Sequence, residues 1–187
     1  MSITRELTLL LLVAAGLSVV SCTNRAAKLD DYGAVPHFTL TDSEGHLFDS
    51  NELKGKVWIV DFIFTNCPGP CPRMTSQMHT LSEKLKDDKN IRLVSISVDP
   101  ERDTPPVLNA YARRFGGPTP QWTFLTGPLS TVDLLAVNTF HIGTVRNRLN
   151  HSTRFMLVDK NGHIRAYEST FDPGGMDKLQ ADAEALE

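Results

Sequence analysis

Apolar positions recur along this chain with two different periods, and the periods mark out its elements. Lys56 to Phe64 is almost continuously apolar, as expected of a strand buried on both faces. From Cys71 to Lys86 the apolar residues Met74, Met78, Leu81 and Leu85 fall three or four apart, which predicts a helix with one buried stripe and makes both methionines core residues. Ile91 to Val98 reads as the next strand and Thr104 to Phe115 as a helix, with Asp103 or Thr104 as its cap and Pro105 in its first turn. Trp122 to Leu125 follows as a short strand, in which Trp122 and Phe124 serve packing, and Leu129 to Phe140 as a helix. Thr153 to Asp159 and Ile164 to Tyr167 form a hairpin around Lys160-Asn161-Gly162, and a last helix runs from Gly175 onward. Upstream, Phe38 to Leu40 and His46 to Phe48 flank Asp42-Ser43-Glu44-Gly45, a second hairpin signal.

Strands alternating with amphipathic stretches predict an α/β domain, a central mixed sheet flanked by helices with an N-terminal hairpin. The order, two parallel strands and then an antiparallel pair, fits a thioredoxin-like sheet. Ahead of it, Arg5 precedes the apolar stretch Leu7 to Val20, which ends in Val19-Val20-Ser21-Cys22, a small-residue cleavage context with cysteine as the new first residue. That is the form of a bacterial lipoprotein signal over residues 1–21, with Cys22 carrying lipid, a polar tether over 22–32 and the domain over 33–187. The stretch is shorter than the roughly 20 residues of a spanning helix, so a retained membrane helix is the weaker alternative. Both readings place the domain on the extracytoplasmic, periplasmic side and hold it to the membrane.

Of the three cysteines, lipidation of Cys22 leaves Cys67 and Cys71 as thiols. An oxidising compartment lets two such residues pair, and a four-cysteine metal site is excluded. Composition is that of an ordinary globular domain, 41% hydrophobic and 22% charged. The formal charge of −3 carries no basic excess with which to hold nucleic acid.

The candidate chemistry lies in Cys67-Pro68-Gly69-Pro70-Cys71-Pro72, directly after the first buried strand. Ligands of open α/β sheets collect at the carboxyl ends of parallel strands. Asp99 follows the second strand, and His151 stands at the start of the antiparallel one, on the same rim. Placed on one helix, thiols four residues apart share a face, and the helix amino terminus would favour thiolate. The prolines suit a stiff loop and a first helical turn. Three uses remain open for the pair: soft ligands for a metal, a redox-active dithiol, or a structural disulfide. His151 is the candidate imidazole. His37, His46 and His163 sit in other parts of the pattern, His79 lies about 12 Å along the helix, and His141 is the remaining rival. Asp99 is either a group that orients the site or a turn residue bonded to its own backbone.

Three segments together resemble the Sco/SenC family of thioredoxin-fold copper-binding cytochrome c oxidase assembly proteins. They are Phe64-Thr65-Asn66-Cys67-Pro68-Gly69-Pro70-Cys71-Pro72, Ser97-Val98-Asp99-Pro100-Glu101-Arg102-Asp103-Thr104-Pro105, and His151-Ser152 before a strand ending in Asp159-Lys160-Asn161-Gly162. The resemblance implies a copper site of Cys67, Cys71 and His151, holding Cu(I) with Cu(II) left open, and a pair able to cycle between dithiol and disulfide. It further implies a metallochaperone or thiol-redox role toward the binuclear copper centre of oxidase subunit II or a related copper protein. Soft thiolates with one imidazole suit Cu(I). Asn150 departs from the pattern, standing where an aspartate is common. An extracytoplasmic thiol:disulfide oxidoreductase without copper is the alternative. Against it stand the three residues between the cysteines, where redox motifs have two, and Val60 and Phe64 in place of the proline and threonine of peroxiredoxins. A non-catalytic domain stapled by its cysteines is the other.

Overall fold

A seven-stranded mixed sheet organises the computed structural model, which describes residues 29–143 and 152–187. In chain order the elements are β1 (Thr39–Asp42), β2 (Leu47–Asp49), β3 (Val57–Ile63), α1 (Cys71–Lys84), β4 (Ile91–Ser97), α2 (Pro105–Arg114), β5 (Trp122–Thr126), α3 (Leu129–Asp133), β6 (Arg154–Val158), β7 (Ile164–Ser169) and α4 (Gly175–Ala185). Across the sheet they lie β2-β1-β5-β4-β3-β6-β7. This is a thioredoxin-like α/β fold.

The centre of the sheet is parallel, β3 with β4 and β4 with β5, while β1 joins β5 and β6 joins β3 in antiparallel fashion. The sequence pattern implied two parallel strands; β5 is a third, because a five-residue apolar run reveals a strand but not its direction. All seven residues of β3 are buried, and both its faces are covered, which is why it reads as an unbroken apolar run. Edge strand β7 instead alternates buried and half-buried residues.

The pleat of β3 sends Trp58, Val60 and Phe62 to one face and Ile59, Asp61 and Ile63 to the other. Phe140 meets Trp58 and Phe62 edge-on, with ring centroids 6.1 and 5.6 Å away. It gets there through a correction to the expected helix over 129–140. Regular α3 ends at Asp133, and Leu134–Thr139 continues as a wider π-type turn closed by Phe140 N–H donating to Leu135 O. On the other face α1 buries Met74, Met78 and Leu81, the predicted stripe. Tyr111 of α2 reaches α1 through a 2.8 Å hydrogen bond between its hydroxyl and that of Thr75.

At the amino end, residues from Leu29 onward lie along β7. Tyr32 N–H donates to Ile164 O, Ile164 N–H to Gly33 O, and Val35 N–H to Gly162 O. The Arg165 guanidinium donates to the carbonyls of Leu29 and Asp30, and His163 pairs with Asp31 at 2.9 Å. These bonds cover an edge that would otherwise present free backbone groups.

Candidate metal and thiol site

β3 ends at Ile63, and the chain turns sharply through Thr65 and Asn66, with Cys67 N–H donating to Phe64 O at 3.3 Å. Pro68-Gly69-Pro70 then leads into α1, whose first residue is Cys71 and whose first turn holds Pro72. Cys67 therefore belongs to the loop, which corrects the expectation that both cysteines lie on one helical face. Three ring-constrained residues near the start of the helix prevent it from extending back to Cys67. The loop nevertheless brings the sulfurs together: the Cys67 side chain hydrogen-bonds that of Cys71.

The two thiols differ in access. Cys71 is wholly buried, whereas Cys67 is half-buried against the edge of the core. Burial pushes the Cys71 thiol far above the ordinary range, and contact with Cys67 adds to it; a main-chain hydrogen bond from Phe64 opposes both and does not prevail. At Cys71, then, desolvation decides the direction. Cys67 is the sulfur that an incoming metal or disulfide meets first, and Cys71 is the inner partner.

Three buried acidic residues lie in β3 or just after β4, in ways the sequence pattern revealed only in part. Asp99 is buried at the turn after β4, where its carbonyl accepts from the amides of Arg102 and Asp103 and its carboxylate stands 3.6 Å from the Arg102 guanidinium. Asp103 does not cap α2. Its carboxylate instead accepts from Thr65 N–H at 3.0 Å, the Thr65 hydroxyl at 2.6 Å and the Ser97 hydroxyl. Asp61, which the pattern absorbed into an apolar strand, lies fully buried on the face that carries α1 and α2. It accepts from the Ser95 hydroxyl at 2.6 Å, and the Trp122 indole N–H donates to that same serine at 3.0 Å. Burial raises the Asp61 carboxyl from 3.8 to about 7, against the pull of the Ser95 hydrogen bond, and its charge is felt at Cys71 and Tyr111. A lone acid in an apolar strand directly before the cysteines was the signal available for it.

His151 lies outside the described residues. The register Trp58↔Val158, Val60↔Met156 places the start of β6 level with the end of β3, so Ser152 and Thr153 belong to the end of the sheet that bears the cysteines. The rival histidines are occupied elsewhere. His37 pairs with Asp49, His46 with Asp42 and His163 with Asp31, while His141 places Nδ1 3.2 Å from Val137 O. His79 packs against Gly116, where an added Cβ would lie 2.8 Å from its ring. Among the described residues, one trio stands close enough to share an ion: Asp42, Glu44 and His46. It is a hairpin tip whose Asp42 carboxylate already accepts the amides of Glu44 and His46. The soft donors are at the other site, and two adjoining sulfurs fit a soft monovalent metal.

A mixed sheet with a paired-thiol loop at the mouth of its central strand defines a thioredoxin-like domain built for sulfur chemistry. Residues 26–180 match the SCO1/SenC family model, and the chain belongs to that family. A SCO1/SenC family lipoprotein from Bacillus anthracis is 33% identical, with a TM-score of 0.75 over 82% of this chain and 94% of that one. BsSco, a member of the Sco family of cytochrome c oxidase assembly proteins in which a disulfide switch was identified, is 31% identical, with a TM-score of 0.75 over 86% and 97%. Yeast Sco1 with copper bound is 28% identical, with a TM-score of 0.62 over 80% and 92%.

Proposed function

We propose that this protein binds one copper ion through Cys67, Cys71 and His151 and uses the same thiol pair as a redox switch. In this reading it serves maturation of a binuclear copper centre, in cytochrome c oxidase subunit II or a related copper protein. The observation that carries the reading is the contact between one accessible and one buried thiol at the end of β3. Kinship supports it: a relative is copper-bound, another carries a disulfide switch within a family of oxidase assembly proteins, and a third is a lipoprotein. Copper supplies an acceptor for thiolate and imidazole lone pairs. This chain's own part is to surrender the thiol protons, hold both sulfurs on one side and bring His151 from the start of β6, which lies at that same end of the sheet.

Anchorage by lipid on Cys22, on the periplasmic side, completes the proposal. No helix among the described residues is long and apolar enough to cross a membrane. The test is Cu(I) titration of the reduced protein against a competing chelator. Wild type takes up one equivalent, Cys67→Ala, Cys71→Ala and His151→Ala each weaken binding by more than the roughly tenfold that loss of a ligand-orienting group costs, and Asp99→Asn weakens it less. Equal losses at Asp99 and the thiols would contradict this division of roles, and thiol turnover without copper uptake would favour an oxidoreductase.

A further inference from the structure

The ligand chemistry makes no use of Asp103, yet this carboxylate holds the peptide unit on which Cys67 rests. The peptide between Phe64 and Thr65 offers its carbonyl to Cys67 N–H at 3.3 Å and its N–H to Asp103 Oδ2 at 3.0 Å. The Thr65 hydroxyl donates to Oδ1 of the same carboxylate at 2.6 Å. One peptide earlier, the N–H of Phe64 donates to the Cys71 sulfur. Asp103 is itself fixed: its N–H donates to Asp99 O at 2.8 Å, Ser97 donates to its Oδ2, and it is 1% exposed. Charge-assisted hydrogen bonds in a buried setting are the stronger kind. One side chain thus joins the end of β4 to the end of β3 at the point where the thiol loop departs.

We propose that Asp103 is a positioning residue for the thiol pair: by gripping the Phe64–Thr65 peptide it sets where Cys67 stands relative to Cys71, and so how readily the two sulfurs join. The proposal rests on the redox reading of the pair given above. Holding two reactants at their meeting geometry favours the joined product by removing the freedom they would lose. Rotation of the Phe64–Thr65 plane would break the Cys67 N–H bond, and Asp103 blocks that rotation.

Dithiothreitol redox buffers provide the test. The Cys67 thiolate attacks oxidised dithiothreitol and opens its ring to a mixed disulfide. The Cys71 sulfur then displaces it, leaving protein disulfide and reduced dithiothreitol, with the two thiol hydrogens passed to the reagent. Asp103→Ala is expected to lower the equilibrium constant for closure about tenfold, or about 30 mV. Thr65→Val, which keeps the amide bond and loses the hydroxyl bond, is expected to lower it roughly threefold, and Thr65→Ser is expected to match wild type. A merely structural role would destabilise dithiol and disulfide forms equally, shifting denaturant midpoints but leaving the redox equilibrium unmoved. If Asp103→Ala does not fold, Thr65→Val decides. Asp103→Ala and Thr65→Val both within twofold of wild type, or shifted toward disulfide, overturn the proposal while wild type still cycles. Wild type that forms no reversible disulfide overturns the redox reading and this proposal together, and Cu(I) stoichiometry reports the copper reading separately.

Discussion

Asp61 makes stability fall as pH rises, and Asp61→Asn should abolish that fall. Its carboxyl is fully buried, with one oxygen bonded to Ser95 and the other, Oδ2, without a hydrogen-bond partner. The unfolded chain loses this proton near pH 4, whereas the folded chain keeps it up to about pH 7. Between those values the folded state holds more protons than the unfolded one, so unfolding free energy declines through the window and levels off above it. The difference from 3.8 to about 7 amounts to about 4 kcal/mol at pH 8. Cys71 and Tyr111, the ionisable groups that feel its charge, stay protonated throughout, since burial pushes both upward. Asparagine keeps the Ser95 bond through its carbonyl but buries an unpartnered amide, at a cost of about 1–3 kcal/mol. The variant should therefore be less stable than wild type at pH 4.5 and more stable at pH 8, with the two denaturant curves crossing. Urea titrations of the reduced protein from pH 4.5 to 8.5 measure it, and parallel stability profiles for the two proteins would refute the reasoning.

Iodoacetamide at pH 8 should label Cys67 at least about a hundredfold faster than Cys71, because only Cys67 meets solvent and burial keeps Cys71 protonated. Peptide mass spectrometry reads the order, and equal rates would contradict the assigned inner and outer roles. Gln121→Ala should cost about 2 kcal/mol, since the Gln121 amide donates to the carbonyls of Leu85, Asp88 and Ile91 and ties the end of α1 to β4. Its Cu(I) affinity should equal that of wild type.

Most elements were legible because their periods are strong. The run Val57–Ile63, the methionine stripe of α1 and the hairpin around Gly162 all appear where the apolar pattern put them. The cysteine loop was legible as a candidate site but not as a geometry. Spacing by four suggests a helical face, whereas the prolines start the helix only at Cys71. At Cys71 the thiol is held protonated for a related reason: a helix terminus shows in sequence, and full desolvation of one sulfur does not. Asp103 has every local mark of a cap, Thr-Pro-Pro following it, and its true partner Thr65 lies 38 residues away. Only the parallel pairing of β3 with β4 brings them together. Asp61 stood out as a lone acid in an apolar run, but a strand buried on both faces conceals which way one polar residue points.

The central claim is that two sulfurs and one imidazole of this chain share a single copper ion. X-ray absorption of the reduced protein loaded with one equivalent of Cu(I) tests it most directly. The account predicts a first shell of two sulfurs and one nitrogen, with the nitrogen scattering lost in His151→Ala and one sulfur lost in Cys67→Ala. A shell of nitrogen and oxygen alone, or one unchanged in His151→Ala, would contradict it.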